Sequence, residues 1–417
     1  MTSHNDCKMT TCRYWAFLLL IAMAPCLDGR AQNSNEPEIT VAAERPEAYL
    51  SLLREKKVAL VANHTSRAFD QHLVDYLLDQ GISVQKIFAP EHGFRGQASA
   101  GEKVDDGRDE KTGLPIISLY GDNRKPSSEQ MMGVDVVVFD IQDVGVRFYT
   151  YISTLTLVME AAAEADVKVV VFDRPNPNGY YVDGPILEEE FSSFVGLHPV
   201  PIVHGLTIAE YALMVNGEGW LMDDLQADLH VVRTKGYRHD MHYDLPVPPS
   251  PNLPNAASVT LYPSLALFEG TPVSIGRGTE MPFQVVGAPW FPDTDSVLRP
   301  KERSSVQTLM FTPEDKLGAK DPKFEGQRCQ GYDLRDYSEL TLRGSGEITL
   351  QWLIMAYDLA PTQAEFFTPF FDLLAGTDML RKQIVAGTPM NVMQSSWQED
   401  LEPYLRMREK YLLYPDF

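Results

Sequence analysis

A glutamic acid and a histidine stand side by side in Ala89-Pro90-Glu91-His92-Gly93-Phe94-Arg95-Gly96, directly after the apolar run Val84-Gln85-Lys86-Ile87-Phe88. A carboxyl beside an imidazole is equipment for proton transfer. Three more polar knots follow apolar runs in the same way: Asn63-His64-Thr65, Asp140-Ile141-Gln142-Asp143-Val144-Gly145 and Asp173-Arg174-Pro175-Asn176. If the runs are parallel strands, all four knots share one edge of a sheet, the edge at which open α/β folds bind ligands. That convergence is the signal, because an isolated acid at a strand end is commonly a turn former or helix cap. Glu91, His92, Asp140 and Asp143 are therefore the catalytic candidates, and Asn63 and His64 are expected to line a cleft.

Strands are predicted at 57–62, 84–88, 115–119, 134–139 and 167–172, with helices at 69–79 and 154–165. Near-continuous Val, Ile and Phe alternating with helical stretches imply a parallel sheet covered on both faces, a doubly wound, Rossmann-like arrangement. A helix at 207–215 and a strand at 229–232 complete a domain assigned to 46–255. The proline cluster Pro246-Val247-Pro248-Pro249-Ser250-Pro251-Asn252-Leu253-Pro254 is neither helix nor central strand. It crosses toward a smaller α/β domain at 256–417, with an extended run at 306–311 and helices near 347–358, 379–385 and 398–409. Two cores suit a chain of 417 residues, since one core rarely grows past ~250–300.

Residues 1–31 differ in kind. Lys8 and Arg13 precede the apolar run 15–24, and Gly29-Arg30-Ala31 follows, the pattern of a secretory leader. This implies a periplasmic or secreted protein; lipid anchoring at Cys26 is the alternative, although Pro25 directly before it is atypical. The run is shorter than the ~20 residues of a membrane span, and no later run approaches that length. Residues 32–45 read as a flexible lead-in, and Cys329 alone remains beyond the leader, too few cysteines for an internal disulfide. Removing the leader shifts the net charge from −22 to −23, a surface that repels nucleic acid and anionic membranes.

No Gly-x-Gly-x-x-Gly follows the first strand and no Walker-type loop occurs, so no nucleotide cofactor is expected. His64, His92, His204, Asp109 and Asp140 offer metal-ligand atoms but not at any tight ligand spacing, and no metal is expected either. A Gly-x-Ser-x-Gly elbow is also missing.

Longer motifs carry more. The chain holds Asn63-His64-Thr65, Ala89-Pro90-Glu91-His92-Gly93, Gly101-Glu102-Lys103-Val104, Ser118-Leu119-Tyr120-Gly121, and the run Asp140-Ile141-Gln142-Asp143-Val144-Gly145-Val146-Arg147-Phe148-Tyr149-Thr150-Tyr151. It continues through Asp173-Arg174-Pro175-Asn176-Pro177, His204-Gly205, Pro249-Ser250-Pro251-Asn252-Leu253-Pro254, Glu269-Gly270-Thr271 and Gly276-Arg277-Gly278-Thr279-Glu280. With these it is similar, over nearly all of the chain beyond the leader, to the bacterial exo-β-N-acetylmuramidases called NamZ. The resemblance implies a Rossmann-like domain joined to a smaller α/β domain, with the site in the cleft between them. It also implies release of N-acetylmuramic acid from the non-reducing end of peptidoglycan fragments such as MurNAc-GlcNAc, without a cofactor. The family's Glu of Pro-Glu-His-Gly falls on Glu91.

Glycoside cleavage ordinarily uses two carboxyl groups, one of them a proton donor whose pKa is raised by its surroundings. Glu91 suits the donor, and Glu102, Asp140, Asp143 and Glu280 compete as its partner. Retaining, inverting and substrate-assisted routes stay open. Arg147 or Arg277 can pair with the lactyl carboxylate of muramic acid, in which case replacing it by Ala raises KM; the other reading is a salt bridge pinning a loop. Tyr149 and Tyr151 suit stacking on a sugar or form one face of an extended segment, and His204 completes the expected substrate contacts. The rival functions are a binding protein for peptidoglycan fragments and a metal-dependent cell-wall hydrolase.

Overall fold

The computed structural model describes residues 38–94, 106–299, 302–316 and 318–417. Its main sheet has seven strands: β1 (Lys57–Ala62), β2 (Ser83–Ala89), β3 (Gly107–Arg108), β4 (Pro115–Ser118), β5 (Val136–Asp140), β6 (Lys168–Phe172) and β7 (Leu229–Val232). They lie in the order β3-β4-β2-β1-β5-β6-β7. Only the short edge pair β3 and β4 is antiparallel. Without β3 the order is that of a Rossmann sheet, and the strand sequence reverses direction between β1 and β5, where Ala62 pairs with Asp140.

The side chains show why these runs are strands. Along β1, Ala59 and Val61 face one core while Val58, Leu60 and Ala62 face another; along β5, Val137 and Phe139 part from Val136 and Val138 in the same way. A strand that buries both faces must be apolar at nearly every position, and each fully buried Val or Leu contributes ~1.5–3 kcal/mol. One face is covered by α1 (Pro46–Leu53) and α2 (Leu73–Asp79), through Tyr49, Leu53, Leu73, Val74 and Leu77. The other is covered by α3 (Tyr151–Glu164) and α4 (Ile208–Gly217). α4 starts at a capping box in which the Thr207 hydroxyl accepts from the Glu210 N–H and the Glu210 carboxylate accepts from the Thr207 N–H.

Two expectations at the front of the chain need correction. The helix expected from 69 starts only at Leu73, because Arg67–Ala68 and Gln71–His72 pair as a small hairpin and the His72 ring caps the helix at the Val74 N–H. Residues 40–45 are not a loose lead-in: Thr40 bridges to Lys235, and Ala42–Glu44 forms a 3-10 turn with Val41, Ala42 and Ala43 buried. Three consecutive small apolar residues find a place in the core, which ties the segment down.

The second half of the chain is largely helical. It contains α5 (Ala256–Leu265), α6 (Gln351–Asp358), α7 (Pro369–Ala375), α8 (Met379–Val385) and α9 (Met390–Arg408). A three-stranded antiparallel sheet of β8 (Val285–Ala288), β9 (Gln307–Phe311) and β10 (Cys329–Asp333) has the order β8-β10-β9. The final helix is longer than expected, beginning at Met390 and carrying Pro403 within it. Residues 38–417 form one compact unit, and the larger core runs from β5 and α3 into α5, α6 and α9. Among the described residues no helix is long and apolar enough to cross a membrane.

Candidate active site

The polar knots do share one edge, but they do different work. Directly after β1, the Asn63 side-chain oxygen accepts from the Thr65 N–H and hydroxyl at 2.9 and 2.6 Å, and its amide donates to the Tyr151 hydroxyl at 2.9 Å. The Thr65 hydroxyl in turn accepts from the Gln142 N–H at 3.0 Å, and the Ser66 hydroxyl donates to the Asp140 carbonyl. The ends of β1 and β5 are thereby laced together at the point where the strand order reverses.

Asp140 belongs to this frame and not to the chemistry. It is fully buried, and Arg174 grips it through Nε and Nη2 at 2.7 and 2.8 Å. A carboxylate held bidentately has little left to offer a substrate. Asp173, from the same knot as Arg174, is also committed, accepting from the Tyr414 hydroxyl and the Ala209 N–H.

A cavity of about 450 Å³ opens beside this frame. Glu91 and His92, on the turn after β2, form part of its wall together with Tyr120, Arg124 and the run Phe148, Tyr149, Thr150 and Tyr151 ahead of and at the start of α3. The opposite wall comes from the second half of the chain: Tyr262, Glu269, Arg277, Phe283, Phe370 and Leu373. Ser250, Asn252 and Leu253 of the proline-rich segment line it as well, as do Ser193, Phe194 and Val195. The Thr150 hydroxyl donates to Glu91 at 3.0 Å, so the start of α3 orients the carboxylate. His92 is nearly buried and has φ +69°, followed by Gly93 at +73°. A left-handed backbone costs a non-glycine residue ~1–2 kcal/mol, and such strain gathers at functional sites.

Tyrosine rings make the floor. Tyr149 meets Tyr151 edge-on at 4.9 Å and Tyr262 at 5.7 Å. The two residues expected as a pair are therefore both in the wall, although they sit at a helix start and not on an extended segment. The Tyr149 hydroxyl donates to the Pro249 carbonyl at 2.9 Å, and the His64 Nε2 meets the Pro248 carbonyl at 2.8 Å. Burial lowers the pKa of His64, which favours a neutral ring with its proton on Nε2. His64 thus pins the proline-rich segment and is not itself in the cavity wall.

Asp143 lies behind the tyrosines, outside the wall. One carboxylate oxygen accepts from the Gly145 N–H at 2.6 Å and the other is buried with no hydrogen-bond partner. Gly145, at φ +75°, makes this turn against the Asn176 side chain, where a Cβ would collide. Burial pushes the Asp143 carboxyl up to about 7, against the pull of the Gly145 and Val144 N–H groups. Between its ordinary value of 3.8 and about 7, the folded protein holds a proton that the unfolded chain has released, so this group lowers stability as pH rises through that window. A carboxyl titrating even one pH unit above its unfolded value contributes a loss of about 1.4 kcal/mol. Asp143→Asn should therefore gain melting temperature relative to the wild type from pH 4 to pH 8; parallel profiles for the two proteins would show that Asp143 does not titrate this way.

Three expected site residues are corrected. Arg147 is completely buried, donating from Nη1 to the Pro185 and Val200 carbonyls at 2.8 and 2.7 Å, and from Nη2 to Leu374 and Ala375 at 3.0 and 2.7 Å. It does not reach the cavity. His204 is also fully buried away from the cavity, its pKa driven down to about 3 by burial and by Arg408 and Arg147. Glu280 is exposed, paired with Lys316, and absent from the wall. Glu102 lies outside the described residues, as do the leader and Cys26. Arg277 does line the cavity, with its Nη1 on Glu269 Oε1 at 2.7 Å.

Sequence reasoning passed over Arg124, Thr150, Tyr262 and Glu269. Thr150 and Glu269 stood within motifs already singled out; Arg124 and Tyr262 had no local signal. Among the described residues no group of three or more His, Cys, Asp or Glu side chains is arranged to hold a metal ion. The arrangement offers two carboxylates, Glu91 and Glu269, on one cavity with an aromatic floor and two guanidinium groups. Such a wall suits proton transfer to a polar ligand with flat apolar faces.

Comparison with known proteins agrees in extent and in type. A family model described as exo-beta-N-acetylmuramidase NamZ, N-terminal, matches residues 58–257, and its C-terminal counterpart matches residues 260–414. The chain is similar to the peptidoglycan beta-N-acetylmuramidase NamZ of Bacillus subtilis (strain 168), 38% identical over 416 residues, covering 95% of this chain and 97% of that protein. Two crystal structures of DUF1343 family proteins from Bacteroides fragilis NCTC 9343 share the fold. One is 44% identical with a TM-score of 0.82, the other 30% identical with a TM-score of 0.77, and each covers 91% of this chain and 100% of its own.

Proposed function

The chain belongs to the exo-β-N-acetylmuramidase NamZ family, and from that premise we propose that it releases N-acetylmuramic acid from the non-reducing end of peptidoglycan fragments, with Glu91 as the proton donor. The observation that carries the reading is a partly buried carboxylate, oriented by the Thr150 hydroxyl, on the wall of a sugar-sized cavity. Glycosidases place a carboxylic acid against the leaving oxygen and a second carboxyl across the bond. In this reading Glu91 protonates the oxygen of the departing sugar, and Glu269, paired with Arg277, is the second carboxyl. Tyr149, Tyr151 and Tyr262 pack against the muramic acid ring, and His92 borders the reacting centre. Asn63 acts through Tyr151 as a positioning residue.

The smallest substrate of this reading is the MurNAc-GlcNAc disaccharide. The two family segments support a division into domains at 46–255 and 256–417, with the cavity between them. A leader at residues 1–31 would carry the enzyme to the periplasm or beyond the cell, where peptidoglycan lies.

The direction of attack is open to test with capped ends. Incubated with MurNAc-GlcNAc, the enzyme should release muramic acid; with GlcNAc-MurNAc-GlcNAc, whose muramic acid is blocked at its non-reducing side, release should fall to background. Equal cleavage of both would mean internal attack and would reject the exo-acting reading.

A further inference from the structure

N-acetylmuramic acid differs from N-acetylglucosamine by one lactyl ether, which ends in a carboxylate. The protein must draw this anion into a cleft that already contains Glu91 and Glu269, on a chain with a net charge of −22. A local cation with unspent hydrogen-bond donors is therefore required.

Arg147 is enclosed among four backbone carbonyls outside the cavity. Lys323 is turned to the carbonyls of the 268–273 segment and is likewise absent from the wall. The guanidinium groups in the wall belong to Arg277 and Arg124. The charge of Arg277 is already met by Glu269 at 2.7 Å. Arg124 uses only Nε, donating to the Gly121 carbonyl at 3.1 Å, and its guanidinium carbon lies 4.5 Å from the centre of the Phe194 ring. Among the described residues its two terminal nitrogens meet no carboxylate and no other acceptor. The Gly121 bond and the Phe194 face hold the group in place and leave the Nη1–Nη2 edge free, the edge that receives a carboxylate through two parallel hydrogen bonds.

We infer that Arg124 is the residue that recognises the lactyl carboxylate and so sets the preference for muramic acid over glucosamine. The inference rests on the muramidase reading above. Arg124 is exposed, so its replacement spares the fold, and Arg124→Met keeps the aliphatic stem over Phe194 while removing the charge.

The test uses two chromogenic substrates, the aryl β-glycoside of N-acetylmuramic acid and its lactyl amide, which is neutral but otherwise alike. Wild-type enzyme should favour the acid over the amide through KM, by about ten- to a hundred-fold for a charge-assisted bidentate pair. Arg124→Met should raise KM for the acid by a similar factor, leave kcat within a few-fold, and treat acid and amide alike. Arg124→Lys should recover part of the preference. A wild-type preference that survives in Arg124→Met would overturn this role for Arg124 while leaving the muramidase reading intact. Failure of the wild type to cleave either glycoside would overturn the muramidase reading, and this inference with it.

Discussion

Glu91→Gln should lower turnover of MurNAc-GlcNAc by roughly 10²- to 10⁴-fold, the range typical of losing a positioned general acid, while the protein stays folded. The amide is nearly isosteric, and its oxygen can still accept from the Thr150 hydroxyl that now holds the carboxylate at 3.0 Å. What disappears is the proton. The loss should depend on the leaving group: an aryl glycoside whose phenolate departs without protonation should lose far less than the disaccharide. A uniform loss on both substrates would mean that Glu91 shapes the cavity instead of donating a proton. Initial rates on the two substrates, with melting curves beside them, separate the cases.

Arg147→Met should act on stability and not on KM. The guanidinium satisfies the carbonyls of Pro185 and Val200 from the Rossmann-like half, and those of Leu374 and Ala375 at the end of α7. The last carbonyls of a helix lack partners within it and carry its partial negative charge, so a cation there closes the helix end as well as bridging two parts of the chain. Gly376, with φ +76°, passes so close that a Cβ would strike the guanidinium. Substitution leaves four carbonyls to find other donors in a buried place, a cost of about 3–5 kcal/mol by comparison with other broken buried polar networks. That is a large share of the ~5–15 kcal/mol that holds a typical protein folded. A clear drop in melting temperature with unchanged KM in the folded fraction is expected. A raised KM at unchanged melting temperature would restore Arg147 to the substrate.

These two residues also mark how far the sequence could be read. Glu91 was legible because it follows a strand that ends in the buried apolar residues Ile87, Phe88 and Ala89, and a parallel strand's carboxyl end is a binding edge whatever the rest of the molecule does. Much of the sheet was legible from burial: strands buried on both faces, such as Lys57–Ala62 and Val136–Asp140, must be apolar at nearly every position and so announce where they lie. Arg147 follows a glycine turn and reads locally as an exposed loop cation. The four carbonyls that enclose it are 38 to 228 positions away along the chain, and no local pattern announces them. Asp140 likewise stands at the right edge, but Arg174, 34 positions later, claims both of its oxygens. The far wall of the cavity, with Tyr262 and Glu269, comes from segments that only tertiary packing brings opposite Glu91. Sequence periodicity shows which side of an element is buried; it does not show which polar group from elsewhere will face it.

The most direct test of the central claim is to incubate the purified wild-type protein with MurNAc-GlcNAc and follow both free sugars by mass spectrometry. N-acetylmuramic acid and N-acetylglucosamine should appear in equal amounts, accumulating with enzyme and time. Disaccharide that binds in the cavity but remains intact would contradict that claim, and would make the protein a receptor for the fragment and not an enzyme that cleaves it.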